Sequence, residues 1–320
     1  MVALKAVRKF EAAETTSAFE ADVLRGLRST PKRISPKYFY DAAGCALFEQ
    51  ITDLPEYYPT RTELRILEDN AAAISALIPP GAALVEFGSG SSRKTRILLG
   101  SVPQLAAYVP VDICGEMLEQ EAEGLRKEFP KLKVLPVTAD FTQPFELPDG
   151  MPAARVGFFP GSTIGNFEPH EAATFLRHAG KILGPGAIFL VGTDLQKDSR
   201  ILKAAYNDAA GITRAFNLNL LTRINRELGG NFDTGTFEHH AFYNRERHRI
   251  EMHLASNKRQ KVRVAGETID FRAGETIHTE NSYKYSAASF GALARGTGWT
   301  PVKSWSDPNR YFCLHAIAFR

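Results

Sequence analysis

The stretch Leu84-Val85-Glu86-Phe87-Gly88-Ser89-Gly90 decides the fold. An apolar run ends in Gly-x-Gly and is followed by a helical pattern over 92–100, which reads as strand, tight turn, helix. Outward from it, short apolar runs recur at 83–87, 108–111, 134–137, 156–159 and 187–191. Helical patterns lie between them at 92–100, 115–128 and 168–183, and Gly184-Pro185-Gly186 punctuates the approach to the last run. Strands alternating with helices predict an α/β domain with a parallel sheet covered on both faces, doubly wound.

The rest of the chain has a different texture. Residues 19–28 and 62–78 carry helical spacing, with an aromatic-rich region at 37–61 between them. After Asp194 a helical region over 197–228 leads to strand-like runs at 239–243, 249–254, 261–264, 268–271 and 276–285. A helix over 286–297 and two strands joined at Asp307-Pro308-Asn309 close the chain. The simplest assembly is a Rossmann-like domain of 62–195 plus 286–320, and a second α+β domain of 1–61 plus 196–285.

Composition narrows the function classes. The 320 residues are 44% hydrophobic and 23% charged, and 39 basic against 36 acidic residues leave a net charge of +3. That bias is too small for a nucleic-acid binder, and basic stretches such as Lys258-Arg259-Gln260-Lys261 are short. Three separated cysteines give no disulfide framework and no metal spacing, and eight histidines show no HExxH pattern, so no metal is expected. Met1–Phe10 lacks the apolar core of a signal peptide, and no run approaches a membrane span. A cytoplasmic chain without membrane or nucleic-acid partners is expected, and a monomer.

The glycine turn sits where a doubly wound fold meets a nucleotide-like ligand. Taken alone it is a weak signal, because a tight β–α turn needs glycine whether or not anything binds. A dinucleotide fingerprint would place a third glycine where Arg93 stands, which favours a cofactor without a pyrophosphate. Asp112 falls at the end of the second strand, where an acid accepts hydrogen bonds from ribose hydroxyls. Asp140-Phe141 falls at the end of the third, an acid and an aromatic suited to adenine. Either acid alone also suits a helix cap. After the fourth strand comes Gly161-Ser162-Thr163-Ile164-Gly165-Asn166, whose asparagine offers an acceptor and two donors, or else caps the helix ahead of Glu168-Pro169.

These segments, together with Pro55-Glu56-Tyr57-Tyr58-Pro59-Thr60-Arg61, Lys94-Thr95-Arg96, Gly192-Thr193-Asp194-Leu195 and Glu251-Met252, resemble the histidine Nα-methyltransferases of ergothioneine biosynthesis (the EgtD family). The resemblance runs in order from about residue 20 to the C-terminus. It implies a class I methyltransferase domain with a seven-stranded, mainly parallel sheet, and a second α+β domain that binds substrate. It also implies three methyl transfers from S-adenosylmethionine to the α-amino group of L-histidine, giving hercynine and S-adenosylhomocysteine.

Carried onto this chain, the resemblance places Tyr57, Asn166 and Tyr206 at the amine and carboxylate of the substrate. Glu280 and Ser282 fall at its imidazole, Met252 beside the ring, and Phe48 and Gly161 at the walls. The cofactor falls to Tyr40, Gly88, Lys94, Asp112, Asp140 and Phe141, with Tyr40, Tyr57 and Asn166 orienting the reacting nitrogen. Residues i and i+2 of a strand share a face, so Glu280 and Ser282 can converge on one ligand. The segment Glu280-Asn281-Ser282-Tyr283-Lys284-Tyr285 is more polar and aromatic than the family's Glu-x-Ser-x-Lys-Phe. The rival readings are a methyltransferase for another amino acid or an indole derivative, and a non-catalytic S-adenosylmethionine-binding protein.

Overall fold

The computed structural model describes residues 17–90 and 92–320; the reading of Met1–Phe10 lies outside them. In chain order the elements are α1 (17–28), β1 (Lys32–Arg33), α2 (Ala42–Asp53), α3 (Tyr58–Asp69), α4 (Ala71–Ser75), β2 (Ala83–Phe87), α5 (Arg93–Ser101) and β3 (Ala107–Asp112). There follow α6 (Gly115–Glu128), β4 (Lys133–Val134), β5 (Val137–Thr138), β6 (Arg155–Phe159), α7 (Pro169–Leu183), β7 (Ile188–Asp194), α8 (Ser199–Tyr206) and α9 (Ile212–Leu228). The remainder comprises β8 (Phe237–Asn244), β9 (Arg249–Ser256), β10 (Gln260–Val264), β11 (Glu267–Phe271), β12 (Thr276–Tyr283), α10 (Ala287–Arg295), β13 (Trp299–Ser306) and β14 (Phe312–Phe319).

The chain divides into two compact units, one of 57–201, 245–249 and 282–320, the other of the residues up to 56 with 202–244 and 250–281. The first holds an eight-stranded sheet in the order β13-β14-β7-β6-β2-β3-β4, with β5 also on β3. Strands β2 to β7 run parallel, whereas β14 is antiparallel to both β7 and β13. β4 and β5 share one sheet position, split at Leu135-Pro136, where proline cannot donate to the ladder. Seven positions with one antiparallel strand inserted near an edge are the class I methyltransferase sheet.

Alternate residues of each strand feed opposite cores. Leu84, Tyr108, Val156 and Leu190 pack with Leu98 and Leu99 of α5 and Leu125 of α6. Val85, Phe87, Val109, Phe159 and Val191 pack with Phe175 and Leu176 of α7 and Phe290 of α10. Both faces of the sheet are therefore dry, which is why its strands read as unbroken apolar runs. The helix expected over 62–78 begins earlier, at Tyr58, because Pro59 suits a first helical turn, and it breaks at Asn70.

The second unit holds a four-stranded sheet, β1-β12-β9-β8, and the hairpin β10–β11. Helix α9 carries buried asparagines as well as apolar residues. Asn217 accepts from the Thr279 hydroxyl at 2.8 Å and donates to the His253 carbonyl at 3.1 Å, and Asn219 donates to Asp41 at 2.8 Å. Residues 57–61, 196–201, 245–249 and 282–285 belong to the unit of the large sheet, whereas their sequence position had suggested the other. The Tyr58–Asp194 and Lys284–Asp194 pairs and the parallel bridge of Leu195 to Tyr285 tie the first and last of these there.

Candidate active site

In the unit of the large sheet, β2 is followed by Gly88 at φ +75°, with Gly90 at φ +46° and Ser92 at φ +54°. A Cβ on Gly88 would stand 3.3 Å from the Phe141 ring, whereas at Gly90 it would meet nothing within 4 Å, so the turn opens into space. Asp112, at the end of β3, accepts the Cys114 N–H at 2.9 Å through one oxygen and the Gly90 N–H at 3.4 Å through the other. Asp140 turns its own loop by accepting from the Thr142 N–H and hydroxyl. Strand β5 ends at Thr138, so Asp140 and Phe141 lie just beyond it. Ile113, beside Asp112, is 44% exposed. A glycine turn, a carboxylate at each of two neighbouring strand ends and apolar surface beside them fit an adenosyl group.

Glu86 does not take part. It is fully buried, accepts from Thr95 Oγ1 at 2.6 Å and from the Tyr108 hydroxyl at 2.5 Å, and fastens α5 to the sheet. Burial pushes its carboxyl up to about 8, against the hydrogen bonds of Thr95 and Tyr108, so it is protonated at neutral pH.

Lys94, on α5, places its ammonium 2.7 Å from Glu63 Oε2, and the same oxygen accepts the Gly161 N–H at 2.8 Å. Glu63, on α3, has no exposed surface, and its other oxygen faces Gly192, where a Cβ would approach within 2.1 Å. One buried carboxylate thus joins the glycine-turn helix, the loop after β6 and the end of β7. Asn166 lies in the short 3-10 turn Thr163–Asn166, half-buried, and its side-chain amide makes no hydrogen bond among the described residues. It does not cap α7: Glu168 does, in a capping box with Glu171. Tyr57 is buried at the start of α3.

Asp194 ends β7 and is 1% exposed. It accepts from the Tyr58 hydroxyl at 2.7 Å, Lys197 Nζ at 2.5 Å and Lys284 Nζ at 2.8 Å. Burial alone would raise its carboxyl, but the two ammoniums hold it below the usual range, and burial pulls Lys197 down to about 8. Lys284 also donates to Ser282 Oγ at 2.7 Å. Tyr283, part of the departure from the family pattern, is engaged elsewhere: its hydroxyl donates to Glu168 at 2.6 Å and accepts from Arg249 at 2.7 Å.

In the other unit, Tyr40 lies edge-on to Phe48 at 5.7 Å and to Phe216 at 5.9 Å. Tyr206 is buried at the end of α8, and its carbonyl accepts from His239 Nε2 at 2.9 Å. His239 Nδ1 therefore accepts from Asn217 at 2.9 Å, the neutral tautomer, and burial holds this histidine below its usual value. Met252 is buried on β9, where its carbonyl accepts from the hydroxyl of Thr279, the neighbour of Glu280. Glu280 is buried, as is Ser282 two residues along the same strand. The expected substrate residues are thus divided: Phe48, Tyr206, Met252 and Glu280 belong to this unit, Tyr57, Gly161, Asn166 and Ser282 to the other.

Glu251, His253 and His278 bring ligating atoms within 4.8 Å of one another. The two imidazoles lie face to face, 4.6 Å apart and 12° from parallel, with Phe242 stacked on His253. In-plane lone pairs on stacked rings run side by side, so this is a packed stack rather than a cage for an ion.

Reasoning from residues missed Glu63, Tyr58, Asp194, Lys284 and His239. For Asp194 and Lys284 a signal existed, since both stand inside segments shared with the family. Glu63 is one acidic residue among several in an ordinary helix pattern, and only the fold places it under Gly161 and Gly192.

The sheet order and the adenosyl-shaped turn define an S-adenosylmethionine-dependent methyltransferase. Residues 19–319 match a family described as histidine-specific and S-adenosylmethionine-dependent methyltransferases, and the chain belongs to that family. It is 42% identical over 307 residues to the histidine N-alpha-methyltransferase of Mycobacterium tuberculosis, covering 94% of this chain and 95% of that one. It is likewise 42% identical to the protein of that name from Mycolicibacterium smegmatis, covering 93% and 94%. Ergothioneine biosynthesis protein 1 of Neurospora crassa is 33% identical over 90% of this chain and 33% of its own length. Among the described residues no helix is long and apolar enough to cross a membrane.

Proposed function

We propose that this enzyme methylates the α-amino nitrogen of L-histidine three times, giving hercynine, the first step of ergothioneine biosynthesis. The observation that carries the reading is the match to two histidine N-alpha-methyltransferases over nearly the whole of both chains. S-adenosylmethionine supplies an electrophilic methyl group. Asp112, Asp140 and Phe141 would hold its adenosyl part and Gly88 and Lys94 the remainder, with Tyr40 over the reacting end. Tyr57, Asn166 and Tyr206 would grip the amine and carboxylate of histidine. Glu280 and Ser282 would read its imidazole, with Met252 against the ring and Phe48 and Gly161 as walls. The unit of the large sheet would then serve as the cofactor domain and the other as the substrate domain, in a cytoplasmic monomer.

The nitrogen must lose a proton before each attack, and the α-amino group of a free amino acid, beside its own carboxylate, titrates above the ~8 of a chain terminus. Only a small fraction is therefore free base at neutral pH, and solvent can take the proton. Catalysis then rests on holding the lone pair in line with the methyl carbon. Asn166 suits this role because it offers one acceptor and two donors without a charge.

The substitution Glu280→Ala tests the substrate assignment by calorimetry. Histidine should bind more than tenfold more weakly while S-adenosylhomocysteine binds as before. Unchanged histidine affinity, or an equal loss for both ligands, would refute the imidazole contact.

A further inference from the structure

The ammonium of Lys284 is a donor only, with no lone pair to give. Its bond to Ser282 Oγ at 2.7 Å therefore makes the serine oxygen the acceptor and turns the hydroxyl hydrogen away from Lys284. Lys284 cannot swing aside. Its side chain has no exposed surface, its Nζ is 2.8 Å from Asp194, and its backbone is held by an N–H bond to the His248 carbonyl at 2.7 Å and by the Gln196 amide on its own carbonyl at 3.3 Å. Asp194 is itself fixed by Lys197 and the Tyr58 hydroxyl. One carboxylate, Asp194, thus contacts both ammoniums, and Asp307, the other carboxylate acting on Lys197, accepts from the backbone N–H groups of Tyr311 and Phe312.

From this geometry we infer that Lys284, clamped by Asp194, is a positioning residue for substrate choice. It occupies one acceptor lone pair of Ser282 and turns the hydroxyl hydrogen away from itself, which favours Ser282 as a donor to the ring; the site then prefers a bare ring nitrogen there, a neutral imidazole over an imidazolium or a ring with carbon in that place. The inference rests on the reading of Ser282 as an imidazole contact. Glu280, two residues earlier on the strand, would take the ring N–H, and the pair together would specify donor on one side and acceptor on the other.

The test compares histidine with an analogue whose ring is a pyrrole, which keeps one N–H and replaces the second nitrogen by C–H. Both are titrated into enzyme saturated with S-adenosylhomocysteine. The parent enzyme should prefer histidine by roughly tenfold to a hundredfold, the cost of an unmatched buried donor. In Lys284→Met the serine hydrogen can turn to another acceptor, and the preference should shrink to about threefold or less, with the affinity for S-adenosylhomocysteine unchanged. This variant leaves Asp194 paired with Lys197, so no buried charge is orphaned, and methionine fills much of the lysine stem's volume.

Ser282→Ala separates the two claims. If it abolishes the preference while Lys284→Met keeps it, the role of Lys284 is overturned and the serine contact stands. If Ser282→Ala keeps the full preference, the contact itself is wrong. A measurement on the unsubstituted enzyme stands beside these. Histidine labelled with 15N in the ring, bound at pH 6, should show one protonated and one bare nitrogen, although a free imidazole titrates near ~6.5. Two protonated ring nitrogens in the bound state would overturn the inference.

Discussion

Glu63 and Lys94 form an ion pair that joins α3 to α5 and to the loop after β6: the ammonium lies 2.7 Å from a carboxylate with no exposed surface, and the Gly161 N–H shares the same oxygen. Breaking a buried pair by removing one charge costs more than the pair itself contributes, because the partner is left uncompensated. Glu63→Gln keeps the shape and removes the charge. It should lower stability by about 2–4 kcal/mol and weaken S-adenosylhomocysteine binding about tenfold, measured by thermal melting and calorimetry. Cofactor affinity equal to that of the parent would show that Lys94 is not held for the cofactor.

Asn166 is predicted to act on orientation rather than on affinity alone. Asn166→Ala should reduce kcat by roughly a hundredfold, within the range that lost positioning costs, while the cofactor binds normally. Steady-state kinetics at saturating S-adenosylmethionine measure this. A variant with parent-like histidine affinity and turnover would remove Asn166 from the mechanism.

Glu86 predicts a pH signature. Its carboxyl is raised to about 8 in the folded chain by burial, above the ordinary value of 4.5. The folded state therefore binds the proton more tightly than the unfolded state. Its contribution is full below about pH 4.5 and is lost as the pH rises to about 8. Glu86→Gln, which mimics the protonated form, should gain on the parent by about 4 kcal/mol across that window. Denaturant melts at several pH values decide it; a difference between the two proteins that does not change with pH would mean Glu86 is ionised when folded.

The large sheet was legible because both its faces are buried: the period of apolar runs and the glycine turn require no partner information. The boundaries that shifted did so for local reasons, Pro136 splitting one strand and Pro59 starting α3 early. That Gly88, Asp112 and Phe141 stand at or just beyond strand ends was legible too. A carboxylate on a strand, such as Glu86, looks the same in sequence whether it faces a ligand or, as here, Thr95 and Tyr108. Glu63 escaped because Lys94 and Gly161 lie far from it in sequence, and the Asp194–Lys284 pair because its two members stand ninety positions apart, separations that no local pattern encodes. The substrate residues were read from family resemblance; spacing alone, beyond the i, i+2 relation of Glu280 and Ser282, would not have chosen them.

The central claim is that histidine receives the methyl groups. The most direct measurement is mass spectrometry of each free amino acid after incubation with the enzyme and S-adenosylmethionine. Histidine should gain one, two and finally three methyl groups, ending at the trimethylbetaine, with the other amino acids unchanged. Histidine left unmodified while another amino acid is methylated would contradict the account.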